Sequence, residues 1–220
     1  MDYSRAISFA FQDPDWFRKV IVGGLINFLA MFTGIFIFTY FFTAGYAVEV
    51  IRRIAAGEDS ALPEWNDMGK KFVDGFVAVL VFLAYLTLFG IVGGIWIAYT
   101  SGMDYANGPM QIALIGIGVL FIVLGTGYFS AAGILHYALT DDLAAAFNLP
   151  RLWTFISLEL ADLSVLLVFG LMLKIILIAA SLVILYPFAG FWGQLVLAHL
   201  LGQFARRQDS GSGVRVEPAL

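Results

Sequence analysis

An all-α, polytopic membrane bundle is the fold class this sequence predicts, and three observations predict it. Only 13% of the 220 residues are charged, while 61% are hydrophobic. A soluble domain is about a quarter charged and about half apolar. The apolar residues also run in long blocks: residues 20–48, 75–103, 105–140 and 163–173 carry no charge at all. A spanning helix needs roughly 20 apolar residues. Finally, the Lys and Arg residues are grouped between the blocks, as in chains whose loops are sorted by charge.

That grouping decides the number of crossings. The basic residues are Arg5, Arg18 and Lys19; Arg52, Arg53, Lys70 and Lys71; Arg151; Arg206, Arg207 and Arg215; and Lys174. If residues 20–48 cross once, basic residues fall on both sides. If they form a hairpin turning near Thr33–Gly34, every basic residue except Lys174 falls on one side. The positive-inside rule favours the hairpin. The sequence therefore predicts about six membrane helices in three hairpins: 16–32 with 35–56, 71–100 with 109–140, and 155–184 with 186–206. Residues 1–207 form one transmembrane domain, and 208–220, with Ser-Gly-Ser-Gly and a proline, form a disordered tail. Both termini are expected to be cytoplasmic, in the inner (plasma) membrane. Residues 101–108, with Asp104 and no basic residue, are expected outside. No cleavable signal peptide is expected, because the charged first 19 residues hold no apolar core.

The connecting segments share a feature. Asp13-Pro14-Asp15-Trp16, Leu62-Pro63-Glu64-Trp65 and Leu149-Pro150-Arg151-Leu152-Trp153 each precede an apolar stretch. Proline suits a first helical turn and tryptophan the membrane interface. Two stretches end in small-residue steps, Thr43-Ala44-Gly45-Tyr46 and Ala131-Ala132-Gly133-Ile134. Gly45 and Gly133 are thus predicted helix-packing positions at matching places of an internal repeat. The alternative is that Pro and Trp near helix starts are simply common in membrane proteins. Tyr3, Ile7 and Phe11 recur every four residues, which predicts a short helix on the membrane surface. Gly57 is expected to end the second membrane helix. Residues 62–74, opened by Pro63, are expected to lie amphipathically along the surface.

Gly45-Tyr46, Glu49, Arg52-Arg53, Gly57, Leu62-Pro63-Glu64-Trp65 and Asp74-Gly75 together resemble a prokaryotic family of membrane proteins, domain of unknown function 4013 (DUF4013). The closing Ala198-His199-Leu200-Leu201-Gly202-Gln203 is similar to that family's C-terminal signature. The resemblance extends from about Trp16 to Arg206. It implies a polytopic membrane fold and no particular chemistry.

Candidate chemistry is sparse. Lys174 is an intramembrane cation, and such residues mark functional sites by default. It is read as part of an ion or substrate pathway, or as a partner of Asp162 or Glu159. Against pairing, Asp162 is twelve residues away, roughly 18 Å along a helix. The competing reading is a lysine that snorkels to the far interface. His136 and His199 are the only histidines and are expected at one depth, where they are the weak candidates for ligating haem or another tetrapyrrole. The competing reading is interfacial hydrogen bonding, and no cofactor is expected. With no cysteine and no His-Glu-x-x-His pattern, no metal site is expected. The helical glycines read as close-packing positions. No Gly-x-Ser-x-Gly is present, and Glu58-Asp59 and Asp141-Asp142 read as turn caps. No catalytic residue is predicted.

Three functions remain. The first is a non-enzymatic subunit, scaffold or assembly partner in a membrane complex, with the bilayer and other membrane subunits as partners. The second is a small-molecule transporter or permease built from repeats, resting on Lys174, Asn27, Gln111 and Gln194. The third is a tetrapyrrole carrier. The net charge of -4 argues against nucleic acid as a partner.

Overall fold

The computed structural model describes residues 1–32, 38–58, 62–102, 108–180 and 185–211. The described residues are helical, with no strand among them. The helices are α1 (Tyr3–Ser8), α2 (Trp16–Phe32), α3 (Thr39–Ala55), α4 (Met68–Ser101), α5 (Pro109–Thr140), α6 (Leu149–Leu158), α7 (Leu160–Ala180) and α8 (Tyr186–Gly211). Two 3-10 turns, Phe9–Gln12 and Ala144–Phe147, lead into α2 and α6.

Three of these helices, α4, α5 and α7, are long and apolar enough to cross a membrane. The prediction of six is corrected to three. Helices α2 and α3 have 17 residues each, about 25 Å at the helical rise, short of the roughly 30 Å hydrocarbon core. Helix α8 has 26 residues, but Gln194, His199, Gln203, Arg206 and Arg207 dilute its apolar character. The predicted helix 155–184 is also divided. Helix α6 ends at Leu158 and α7 starts at Leu160, with the Glu159 N–H closing on Phe155 O. The predicted turn at Thr33–Gly34, Asp104 of the predicted outer loop, Asp59 and residues 212–220 of the tail lie outside the described residues. Residues 208–211, assigned to the tail, continue α8.

The least apolar long helix is the central one. Helix α8 is flanked by α1, α2, α3, α5 and α7. A helix surrounded by protein can keep its polar side chains away from lipid. Against it pack Tyr46, Ile54 and Phe9, with Phe191, Leu195 and Phe204 of α8 itself, all nearly fully buried. The α4–α5 hairpin lies to one side. Gly93 and Gly118 receive Ile122, Ile97 and Trp96, while Ile95, Ile112 and Ile117 face outward.

The connections place one charged end. The chain after α3 returns to where α2 begins: Lys19 Nζ lies 2.6 Å from Glu64 Oε1. The N-terminus is there too, since the Asp2 N–H donates to Gln203 Oε1 at 2.7 Å. The hairpin arrangement of α2 and α3 therefore stands over a single crossing. Gly57 ends α3 in the left-handed region, at φ 90°, with its N–H on Ile54 O.

The three Pro/Trp segments do not share a conformation. Asp13–Trp16 is a turn into α2, Pro150 sits in the first turn of α6, and Leu62–Asp67 is an irregular strap. The strap takes up the first part of the segment 62–74 that was expected to lie amphipathically along the surface. Leu62 is buried, Trp65 stacks on Tyr46 at 4.4 Å, and α4 starts at Met68. At the N-terminus, Ala6, Phe9 and Ala10 face inward while Ile7 and Phe11 are exposed.

Candidate functional site

Among the described residues, ion pairs bind the helices together at the charged end, and three groups of them surround α3 and the strap. The first centres on Arg52 of α3. Its Nε donates to Ala138 O at 2.9 Å, and its Nη1 and Nη2 fork onto the Asp74 carboxylate of α4. Nη2 also reaches Asp141 Oδ1 at 2.6 Å. Tyr137 OH donates to Asp74 Oδ1 at 2.7 Å. Asp141 is the α5 C-cap, at φ 54°. It closes α5 on Tyr137 O and also accepts from Lys70. One guanidinium thus ties α3, α4 and α5.

The second group joins α3 to α4. Lys71 Nζ lies 2.6 Å from Glu49 Oε2 and donates to Asn66 O, while Arg53 pairs with Glu49. The third holds the strap to α2. Lys19, with its side chain 4% exposed, bridges Asp13 at 2.9 Å and Glu64 at 2.6 Å and donates to Leu62 O. Trp65 Nε1 donates to Lys19 O, and Tyr46 OH donates to Pro63 O at 2.6 Å. Burial alone would raise the Asp13 carboxyl pKa. Hydrogen bonds from the Lys19 ammonium and from the Asp15 and Leu62 N–H groups outweigh it and hold Asp13 below the ordinary range. The Lys19 hydrogen bond also lowers Glu64.

Between these groups α3 and α4 touch backbone to backbone. A Cβ on Gly45 would overlap Lys71 O, and one on Gly75 would overlap Phe41 O. Each glycine admits the other helix. Gly133 is a looser case. A Cβ there would lie 2.9 Å from Ala146 O and 3.0 Å from Val81 Cγ1, and Tyr85 OH donates to the same Ala146 O at 2.8 Å.

Toward the opposite end the bundle holds a cavity of about 670 Å³, within the range of small-molecule sites. One face of α3 (Tyr40, Ala44, Ala47, Val48, Ile51) and one face of α8 (Tyr186, Gly190, Gly193, Gln194, Leu197, Leu201) form its floor. Ala78 and Phe82 of α4 stand on one flank, Leu173, Lys174 and Leu177 of α7 on the other. Exposed Phe82, Tyr40 and Lys174 lie at its rim. Small residues make the space, since nothing occupies the position of a Cβ at Gly190. The polar groups sit together. Thr43 Oγ1 donates to Asn27 Oδ1 at 2.8 Å, Asn27 Nδ2 donates to Pro187 O at 3.5 Å, and Gln194 Nε2 donates to Tyr40 OH at 2.8 Å.

The sequence-predicted residues distribute as follows. Lys174 lines this cavity and has no hydrogen bond or ion pair among the described residues. Asp162, its proposed partner, is taken by Arg207 at 2.8 Å. His136 and His199 are both buried but lie in different surroundings. His136 Nδ1 is 2.9 Å from Ala132 O, with Phe155 edge-on at 5.0 Å. His199 Nδ1 is 3.0 Å from Gln203 Nε2, with Phe9 at 4.5 Å. No group of three or more metal-ligating side chains occurs among the described residues. Sequence reasoning had named Gly45 and Gly133 as packing positions and Lys174 as an intramembrane charge. It missed Gly75 and the pairing of Arg52 with Asp74, although both glycines and both charges stood in the motif.

A family model described as "Protein of unknown function (DUF4013)" matches residues 14–188. The matched region takes in the strap, the Gly45–Gly75 crossing and the Arg52 group, and it stops before the Ala198–Gln203 segment that the resemblance had included. No curated protein and no solved structure matches.

Proposed function

The chain belongs to the DUF4013 family, and we propose that it works by binding: a non-enzymatic membrane subunit or assembly partner that holds a guest in its lateral cavity. The observation that carries this reading is the division of labour among side chains. At the charged end the acids and bases are engaged with each other across helices. The cavity between α3 and α8 is instead lined by Ala, Gly and aliphatic side chains with a few polar groups, the make-up of a ligand pocket. The membrane is an inner (plasma) membrane, and the charged end faces the cytoplasm, because basic residues gather there.

The test is native mass spectrometry of the full chain extracted in mild detergent from its source membrane. A guest retained in fixed stoichiometry, and lost from Gly190→Phe, supports the reading. A Cβ at Gly190 enters open space, and an unchanged size-exclusion profile checks that the variant is folded. A chain that flies at its own mass, alike in both proteins, overturns it. For orientation, a Cys replacing exposed Glu58 should label only from the cytoplasm.

A permease is the second reading, favoured by Lys174, Asn27 and Gln194 lining one cavity. It requires that Gly190→Cys be reached by small thiol reagents from both sides of the membrane. Access from one side only rules it out.

A further inference from the structure

Lys174 stands apart from the other described basic residues. Leu177 packs on Gly193 and Leu197 on Gly170, so antiparallel α7 and α8 bring Lys174 level with Gln194. Gln194 in turn is bonded to Tyr40. Fourteen residues separate Lys174 from Leu160, the α7 start, or roughly 21 Å of helix. It therefore lies well away from the ionic layer, near the far side of the hydrocarbon. A charge at such a depth persists with a counter-charge or with water, and no acid among the described residues supplies one.

The cavity is graded along its length. Tyr40, Lys174 and Gln194 stand toward the end away from the ionic layer, and the floor continues toward that layer through Ala47, Ile51 and Leu201. The space is elongated, cationic at one end and apolar at the other. Its rim carries the exposed Phe82, Tyr40 and Lys174, side chains that meet lipid when the bundle is set in a bilayer.

Building on the binding role proposed above, we infer that the guest is an anionic phospholipid from the leaflet opposite the charged end, one acyl chain along α3 and α8 and its phosphate on Lys174. The Lys174 ammonium supplies the charge-assisted hydrogen bond, and the hydroxyl of Tyr40 and the amide of Gln194 give the head group further polar partners. A zwitterionic lipid carries a competing cation beside its phosphate and gains less from the lysine.

The purified full chain in dodecyl maltoside is titrated with phosphatidylglycerol, phosphatidylcholine or oleate of matched chain length, and bound lipid is read by native mass spectrometry. The expected result is a preference for phosphatidylglycerol over phosphatidylcholine of about tenfold, in keeping with a hydrogen bond to a charged group. Lys174→Met abolishes the preference, and Lys174→Arg keeps it. Size-exclusion profiles and thermal midpoints confirm that both variants are folded. Equal retention of both phospholipids, still blocked by Gly190→Phe, overturns this inference and leaves the binding role standing. Oleate bound as tightly as phosphatidylglycerol overturns the phospholipid assignment. No retention of any of the three by the folded chain overturns both.

Discussion

The Gly45–Gly75 crossing and the lateral cavity are built from the same helix, α3, by opposite means. At the crossing the chain removes side chains so that backbones meet, and then fastens the junction with Arg52, Glu49 and Tyr46. Along the cavity α3 presents Ala44, Ala47 and Ile51, apolar side chains with no polar partner, of which Ile51 also packs into the core. One face of the helix is determined by unique partners, the other by shape. Substitutions should therefore be costly at the first and tolerated at the second.

The largest expected effect is at the crossing. Gly75→Leu places a side chain where Phe41 O already sits. Backbone cannot yield as a flexible side chain can, so the outcome is failed assembly of α3 on α4. It is measured as loss of monodisperse protein in detergent. Gly94→Leu, on the same helix with nothing near its Cβ position, should leave yield unchanged. Gly133→Leu falls between, at about 1–3 kcal/mol, the usual cost of overpacking. Equal behaviour of the Gly75 and Gly94 variants would break the comparison at its root.

Next comes Arg52→Met. It leaves Asp74, buried at 3% exposure, with only the Tyr137 hydroxyl. Removing one partner of a buried pair costs ~3–5 kcal/mol. Arg52 is itself 20% exposed in its side chain, so the lower part of that range applies. Denaturant unfolding in mixed micelles reads it. The double variant Arg52→Met with Asp74→Leu should recover part of the loss, because no lone charge remains. No recovery would mean that the fork onto Asp74 is not what stabilises the junction.

Why did the sequence show one region and conceal the other? Long uncharged blocks made α4, α5 and α7 legible, since hydropathy reports exposure to lipid directly. Helix α8 was harder to read, because its polar Gln194, His199 and Gln203 dilute the apolar signal while neighbouring helices surround it. Gly45 was legible as a small step before a polar segment. Its counterpart Gly75 was not, because a glycine near a helix start has many readings and the crossing pairs residues thirty positions apart. Arg52 was read as a topology signal. Its partners Asp74, Ala138 and Asp141 are distant in sequence, and only the fold brings them together. Lys174 was visible as an intramembrane charge, but its direction depends on how α7 rests on α8.

A smaller effect is expected from acid. Asp13 and Glu64 titrate below the ordinary carboxylate range in the folded chain. The unfolded chain therefore binds more protons through that interval, so stability rises with pH there and falls on acidification. The contribution is fully present above the unfolded values, about 3.9 for Asp and 4.3 for Glu. It is lost as pH drops through the lower folded values. Trp65, hydrogen-bonded to Lys19 O, belongs to the strap that this group holds, so its fluorescence should change in that window. Asp13→Asn should flatten the acid limb and leave the neutral plateau lower. An unchanged acid limb would detach the strap from the Lys19 group.

The smallest effect is expected at Lys174. Among the described residues its ammonium makes no ion pair, and its side chain is exposed at the cavity rim. Truncation therefore removes no contact that holds α7 to α8. Those helices are held instead by Leu177 on Gly193 and Leu197 on Gly170. On insertion scales a lysine near mid-bilayer is unfavourable by ~2.5–3.5 kcal/mol, less when it snorkels. Methionine of similar length should thus leave thermal stability in lipid-free detergent within about 0.5 kcal/mol of the parent, as at positions without special contacts. Added anionic lipid should then separate the two proteins, raising the thermal midpoint of the parent and not of the variant, since only a ligand bound to the folded state stabilises it. A large loss without any lipid would place Lys174 among the fastenings, with Arg52 and Lys19. The contrast between a fastened face and a shaped face would then fail at the residue meant to define it.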